Sequence, residues 1–176
     1  MGILRTGKLE ESQKQGFASF TEAIKRSPLR MVDGISGLTV NQICTEVRRM
    51  HREAALRLVV IDYLQKVRPS VRHEKRTYEV GEVSGALRAL AVETHCAFVT
   101  LAQLNREPEK DKGRMPRLAD LADSGQIERD ADCVGLLHRP KSGAEATLLV
   151  AKQRDGETGG CDLRFNGMFC RFENLP

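Results

Sequence analysis

The amino-acid sequence predicts an α/β fold in which helices flank a mostly parallel sheet and antiparallel strands follow at the C-terminal end. Two short apolar segments, 57–61 and 97–102, show no alternation of polar and apolar residues. Strands buried on both faces have this composition, and such strands belong to parallel sheets. Helical segments precede, separate and follow them, so the order of elements predicts right-handed crossovers between parallel strands.

Composition and apolar spacing predict four helices, over residues 9–26, 39–55, 78–95 and 124–130. Pro28 stops the first helix, and residues 29–33 then have the composition of a short strand. The second helix starts with Thr39 and Gln42, which have the spacing of a capping box. Helix and strand patterns therefore alternate as far as residue 130.

The last third of the sequence predicts strands at 132–138, 145–151, 161–166 and 168–172. Asn166 and Gly167 separate two of them and are typical of a hairpin turn. Residues 105–117 are charged and contain Pro108 and Pro116, which indicates a loop. Because no linker divides the chain, we expect one domain over residues 1–176.

The composition indicates a soluble globular protein, since 40% of the 176 residues are hydrophobic and 30% are charged. No segment approaches the ~20 apolar residues of a membrane helix, so we expect no membrane partner and a cytoplasmic location. The five cysteines include no CxxC pair, which favours reduced and mostly buried thiols. A net charge of +4 permits an anionic partner without requiring one.

Asp62 is the first candidate for chemistry, because it directly follows the apolar strand 58–61. The carboxyl ends of parallel strands are where α/β sheets bind ligands. Mg²⁺ prefers oxygen ligands and takes only one or two carboxylates from a protein. Four apolar residues followed by Asp form the Walker B pattern, although an Asp at this position also commonly caps a turn.

Gln103 follows the next apolar strand at the corresponding end, so we expect it to lie near Asp62. An amide in this position can contact a γ-phosphate or orient water, or it can simply close the loop with a hydrogen bond. Lys152 and Arg154 form a third candidate, since alternate residues of an extended chain project to one side. They could reach a phosphate in their own or a neighbouring subunit, or form a solvated basic turn.

Residues 2–8 have the GxxxxGK spacing of a phosphate-binding loop. Leu9 stands where Ser or Thr would bind Mg²⁺, and no strand pattern precedes the segment. We therefore do not expect this segment to bind phosphate.

Several segments together resemble the C-terminal motor domain of DnaB-type replicative DNA helicases: 62–65 (DYLQ), 103–106 (QLNR), 120–132 (DLADSGQIERDAD), 152–156 (KQRDG), 165–167 (FNG) and 171–173 (RFE). The resemblance extends over nearly the whole chain. It implies a RecA-like P-loop NTPase fold and a homo-hexameric ring that uses ATP and Mg²⁺ to move 5′ to 3′ along single-stranded DNA. It also implies a partial domain, the C-terminal part of the motor.

The resemblance assigns roles to individual residues. Asp62 is similar to the Walker B carboxylate that holds Mg²⁺, and Gln103 to the residue that contacts the γ-phosphate of ATP. Lys152 and Arg154 resemble the pair that enters the neighbouring subunit's site, with Arg154 as the arginine finger. All four would be catalytic, and an arginine finger is typically worth ~10³–10⁵ in rate.

The resemblance also places a DNA-binding loop at Asp123, Ser124 and Gly125, where backbone N–H groups would bind phosphates without reading sequence. The family has Arg-Glu before Ser-Gly, whereas this chain has Ala-Asp, so one cationic contact to DNA is missing. Three nearby cations could replace it: Arg114, Arg117 and Arg129.

The family places its phosphate-binding loop and catalytic glutamate ahead of the segment that corresponds to residue 1. We therefore expect a fragment of a helicase motor that has little or no ATPase activity when isolated. One alternative is a non-catalytic accessory protein that binds DNA or full-length helicase subunits. Another is a fragment of a RecA-like recombinase, which has the same fold and Walker B strand.

Overall fold

The computed structural model describes residues 10–34, 37–105, 114–121, 125–140 and 143–175. The chain divides into two compact units, Met1–Gly34 and Ile35–Pro176. Three sequence predictions lie wholly or partly outside the described residues, namely the phosphate-loop spacing at 2–8, the charged loop at 106–113, and the DNA-binding loop at Asp123 and Ser124.

The first unit contains helix α1, Glu11–Arg26, which confirms the helix predicted at 9–26. Its first turn carries Glu11 and its last turn Lys25 and Arg26, charges that complement the helix dipole. The strand predicted at 29–33 is wrong, because these residues belong to no strand. A strand needs a hydrogen-bonded neighbour, and no described strand pairs with this segment.

In the second unit, helix α2 is Val40–Glu53. The capping box is confirmed, since Thr39 N–H donates to Gln42 Oε1 at 2.9 Å and Gln42 N–H donates to Thr39 Oγ1 at 3.3 Å. Val40 is 1% exposed, so the cap fixes the start of a helix whose apolar side enters the core.

Strand β1 is Leu58–Ile61 and strand β2 is Ala97–Thr100, and helix α3, Arg76–Thr94, crosses between them. The strands pair in parallel, with Leu58 opposite Ala97 and Ile61 opposite Thr100. This arrangement confirms the predicted βαβ crossover. A 3₁₀ turn, Leu64–Lys66, follows β1.

Helices α2 and α3 cover one face of this parallel pair. The core there consists of side chains no more than 7% exposed, including Val40, Val47, Val83, Leu87 and Leu90. Val59, Ile61 and Phe98 pack against this core. The expectation that both faces of each strand are buried is wrong for the described residues, because Leu58, Val60 and Val99 are each more than half exposed.

The C-terminal part begins with the short helix α4, Gly125–Asp130. Four antiparallel strands follow in the order β3-β4-β5-β6: Cys133–His138, Glu145–Gln153, Gly159–Asn166 and Arg171–Asn174. The last two form the predicted hairpin, with Asn166 opposite Arg171. The α/β class with C-terminal antiparallel strands is therefore confirmed.

The five cysteines are all free, and Cys44 and Cys96 are buried. The other three are exposed, namely Cys133, Cys161 and Cys170. The expectation of mostly buried thiols is therefore wrong, because two of the five lie at exposed strand positions and a third lies in an exposed turn. Among the described helices, none is long and apolar enough to cross a membrane.

Candidate functional site

Asp62 lies at the carboxyl end of the parallel pair, where the chain leaves β1. The backbone of β2 continues beside it, since Leu101 N–H donates to Ile61 O at 2.9 Å and Leu64 N–H donates to Leu101 O at 2.8 Å. Leu64 is 3% exposed and anchors the turn in the core, while Asp62 itself is exposed. The carboxylate thus stands on a solvent-facing rim above a fixed turn.

Gln103 lies on the same rim, two residues beyond the Leu101 that pairs with the start of the turn. Its side chain is exposed, but its backbone is bonded on both sides by one neighbouring side chain. Gln65 Nε2 donates to Gln103 O at 3.3 Å, and Gln103 N–H donates to Gln65 Oε1 at 3.0 Å. The rim therefore joins the segment after β1 to the segment after β2.

The donor chemistry of this rim fits Mg²⁺. No described side chain donates a hydrogen bond to the Asp62 carboxylate, so its oxygens are available to a hard cation. The described residues contain no group of three or more His, Cys, Asp or Glu side chains that could hold a metal alone. A single carboxylate is still a sufficient protein contribution for Mg²⁺, which keeps several waters and takes further ligands from phosphates.

Lys152 is half-buried near the end of β4, and its ammonium group is already bonded. It donates to Glu128 O at 2.5 Å and to Ala131 O at 2.7 Å. The pairing of β3 with β4 shifts register between Val134 and Gly135, beside Lys152, and such a bulge re-aims the side chains next to it. Lys152 consequently ties β4 to the end of helix α4 and the residue that follows it.

Arg154 follows β4 and forms an ion pair with Asp132, with Nη1 2.5 Å from Oδ1. Its backbone N–H also donates to Asp132 O at 2.9 Å. Arg88 of helix α3 approaches the same carboxylate at 3.4 Å and donates to Asp130 O. The segment 128–132 thus contacts both cations that the sequence analysis singled out.

Gly156 packs against the Gln153 side chain in the segment that follows these cations. A Cβ built on Gly156 would lie 2.9 Å from Cγ of Gln153, closer than real Cβ contacts come. The segment 154–158 between β4 and β5 leaves the Arg154 side chain 45% exposed.

The structure describes only part of the candidate DNA-binding loop. Asp123 and Ser124 lie outside the described residues, whereas Gly125 is the first residue of α4. Arg129 donates to Gln126 Oε1 at 2.9 Å, and a Cβ on Gly125 would lie 3.6 Å from Arg129 Nη1. The Arg129 guanidinium therefore lies beside the end of the candidate loop.

Asp120 precedes the same loop and is only 6% exposed. Arg114 Nη2 donates to its Oδ1 at 2.8 Å, and Arg117 N–H donates to its Oδ2 at 2.7 Å. The hydrogen bond from Arg114, followed by that from the Arg117 backbone, lowers the pKa of Asp120. Arg114 is thus engaged in fixing Asp120 ahead of the loop, while the Arg117 side chain is exposed.

A family model of the DnaB-like helicase C terminal domain matches residues 1–174. The chain belongs to this family. The match confirms the resemblance to DnaB-type helicases over the recombinase alternative.

Curated relatives of this DnaB-like domain are considerably longer. The replicative DNA helicase DnaB of Leifsonia xyli subsp. xyli is 38% identical over 180 residues, which cover 98% of this chain and 39% of the relative. The DnaB of Haemophilus influenzae is 36% identical over 181 residues, with the same two coverages. The DnaB-like domain described here thus spans about two fifths of these relatives.

Solved structures confirm the RecA-like fold of this DnaB-like domain. One solved ATPase domain superposes with a TM-score of 0.87 at 29% identity, covering 99% of this chain and 64% of that one. A DnaB-like replicative helicase, solved with its interactions with primase, superposes with a TM-score of 0.85 at 29% identity. That superposition covers 96% of this chain and 42% of that one.

The sequence analysis missed two residues that the structure brings into the candidate site. Gln65 bonds the backbone of Gln103, and Asp132 pairs with Arg154. Both belong to motifs that carry the resemblance, 62–65 and 120–132. Gln65 shares its motif with Asp62, and Asp132 shares its motif with the candidate DNA-binding loop. Membership of these motifs is the sequence signal that could have identified both residues.

Proposed function

We propose that the chain is part of the ATP-driven motor of a cytoplasmic DnaB-like replicative helicase that unwinds duplex DNA from 5′ to 3′. The observation that carries this proposal is the rim on which Asp62 and Gln103 stand together at the carboxyl end of a parallel pair, within a chain of the DnaB-like family. We assign residues 1–176 to the C-terminal part of the RecA-type ATPase domain.

Asp62 holds Mg²⁺ in this proposal, and the metal supplies charge neutralisation for the phosphates of bound ATP. The Gln103 amide contacts the γ-phosphate from the same rim. The exposed position of both side chains supports these roles, because a phosphate chain can approach them from solvent. Phosphoryl transfer depends on charge stabilisation and on positioning of the phosphate. The Asp62 carboxylate serves the first by holding the metal, and the Gln103 amide serves the second.

Arg154 contacts the nucleotide of a neighbouring subunit in a hexamer, and Lys152 supports it from the adjoining end of β4. Arg154 fits the role because it is 45% exposed and leaves its ion pair with Asp132 at small cost. Lys152 would have to exchange two carbonyl acceptors for a phosphate. Its contribution to a shared site therefore depends on movement of segment 128–132.

Single-stranded DNA binds at the loop that ends in Gly125, with Asp123 and Ser124 presenting backbone N–H groups. Arg129 and Arg117 supply positive charge on either side of the loop. The Arg129 guanidinium beside Gly125 supports this assignment, since it offers a cation at the end of the loop.

Mg²⁺-dependent nucleotide binding by the purified chain tests the proposal. We expect calorimetry to detect binding of ATP with Mg²⁺ that is lost with EDTA and in Asp62→Ala. Glu157→Ala is a matched control, since it removes an exposed carboxylate from the β4–β5 turn. Equal binding by wild type and Asp62→Ala would show that Asp62 holds no metal.

A second function is a non-catalytic subunit that binds single-stranded DNA or docks onto full-length helicase subunits. One observation favours it: the described rim contributes only one carboxylate and one amide to a nucleotide site. Salt-dependent binding to single-stranded DNA without nucleotide, with no detectable ATP binding, would support this function. The logarithmic salt slope should then fall by about 0.7 for each phosphate contact removed by Arg117→Ala or Arg129→Ala.

A further inference from the structure

We propose that Gln65 is a positioning residue that fixes Gln103 for recognition of the γ-phosphate. The inference rests on the proposed function, in which Gln103 contacts that phosphate. It is carried by an independent observation, the two hydrogen bonds that the Gln65 side-chain amide makes to the backbone of Gln103.

The backbone ladder between β1 and β2 stops before it reaches Gln103. Its last bonds join Ile61 O to Leu101 N–H and Leu101 O to Leu64 N–H. The chain after β1 then coils into the 3₁₀ turn Leu64–Lys66, so its backbone no longer runs beside β2. Gln103 therefore has no backbone partner in the segment after β1, and the next backbone pairing along its chain joins Leu104 to Leu121.

The Gln65 side chain replaces the missing backbone partner. Its Oε1 accepts from Gln103 N–H and its Nε2 donates to Gln103 O, at 3.0 and 3.3 Å. A primary amide offers one acceptor and one donor at the spacing of a peptide group. One side chain therefore extends the parallel pairing by one residue and holds both sides of the Gln103 backbone.

Gln65 is itself held in place. Arg76 Nη2 donates to Gln65 O at 2.6 Å, and Arg76 is in turn paired with Glu79 at 2.8 Å. The preceding residue, Leu64, is buried at 3% exposure. The amide thus projects from a fixed turn, and it sets the distance between the segment that carries Asp62 and the segment that carries Gln103.

This geometry makes glutamine specific at position 65. Glutamate has the same length but, when ionised, accepts only and turns a negative charge toward Gln103 O. Methionine has similar length and offers neither a strong donor nor a strong acceptor. Gln65→Glu therefore removes one of the two bonds and Gln65→Met removes both, with little change in volume.

The test uses the full chain with two probes, a non-hydrolysable ATP analogue with Mg²⁺ and ADP with Mg²⁺. We expect wild type to prefer the triphosphate and Gln65→Met to lose roughly three- to tenfold of that preference, the loss expected for one or two hydrogen bonds. Affinity for ADP should not change, because ADP has no γ-phosphate. Gln15→Met, an exposed glutamine on α1, is the matched control.

Two further measurements separate positioning from a general loss of structure. Amide hydrogen exchange at Gln103 should accelerate in Gln65→Met, whereas exchange at Leu101 should not. Gln103→Ala should remove the same triphosphate preference, and adding Gln65→Met to it should cause no further loss, since two residues that act through one contact are not additive.

The outcomes separate the inference about Gln65 from the proposed role of Gln103. A triphosphate preference that survives Gln65→Met overturns the inference while leaving Gln103 as the γ-phosphate contact. Unchanged exchange at Gln103 in Gln65→Met also overturns the inference. A wild-type chain that binds both nucleotides without preferring the triphosphate overturns the proposed role of Gln103, and with it the inference that depends on that role.

Discussion

Replacing Lys152 by Met should destabilise the chain, because the Lys152 ammonium joins β4 to segment 128–131. It donates at 2.5 and 2.7 Å to two backbone carbonyls. Hydrogen bonds that involve a charged group contribute about 1.5–3 kcal/mol each. Because Lys152 is only half-buried, we take the lower end of that range and expect a loss of roughly 2–3 kcal/mol.

Circular dichroism during urea and thermal unfolding measures this loss, since the chain contains no tryptophan for fluorescence. In a chain of this size, 1 kcal/mol shifts the melting temperature by about 2–4 °C, so Lys152→Met should melt roughly 4–12 °C lower. Methionine matches the lysine side chain as far as Cε, so the change reports the lost ammonium rather than a large cavity.

Arg154→Met is the matched control, because Arg154 is a cation two residues further along the chain with a different environment. Its ion pair with Asp132 joins side chains that are 45% and 69% exposed, and exposed pairs contribute about 0–1 kcal/mol. Equal stability losses in the two variants would refute the reasoning, as would a loss below about 0.5 kcal/mol in Lys152→Met. Lys152 would then be a solvated cation.

Three other predictions concern the core, the buried carboxylate and the thiols. Leu90→Ala should lower the free energy of unfolding by about 2–5 kcal/mol, because Leu90 is 1% exposed; a loss below about 1 kcal/mol in urea titrations would contradict this. The hydrogen bond from Arg114 lowers the pKa of Asp120. The stability that ionised Asp120 contributes is therefore full above about pH 4 and is lost as pH falls through the lowered pKa. Unfolding of Asp120→Asn and wild type should therefore differ at neutral pH and converge at low pH, and a constant difference would argue against it. Burial raises the pKa of Cys44 and also covers Cys96, so an aqueous thiol reagent should modify three thiols of the native chain and five after unfolding.

Local signals in the sequence were sufficient for much of the fold. The spacing of Thr39 and Gln42 predicts a helix start because a capping box involves only residues three apart. The apolar segments before Asp62 and Gln103 predict a parallel pair, and the ends of such a pair bring the two residues to one rim. These features depend on short-range chemistry or on a general rule of sheet topology.

The wrong predictions share a physical reason, since each concerns a feature that depends on contacts between residues distant in sequence. Residues 29–33 have strand composition, but composition does not supply a pairing partner. Apolar content predicts that both faces of β1 are buried, but it does not say whether a second layer is present, and Val60 is 56% exposed.

The contacts of Lys152 and Gln65 also lay beyond sequence reasoning. Simple alternation along a strand places Lys152 and Arg154 on one side, but a register shift between β3 and β4 lies beside Lys152. Pattern alone does not reveal this shift. Gln65 bonds a residue 38 positions away, and only the βαβ crossover brings the two together.

The two links between β4 and segment 128–132 differ in how they constrain evolution. Lys152 bonds carbonyl oxygens of Glu128 and Ala131, and every residue type carries such an oxygen. The side chains at 128 and 131 can therefore change without loss of this link. Arg154 binds the carboxylate of Asp132, so this link depends on the side chains at both positions. Substitutions at 128 and 131 should accordingly leave the Lys152 link in place, whereas a substitution at 132 removes the Arg154 ion pair.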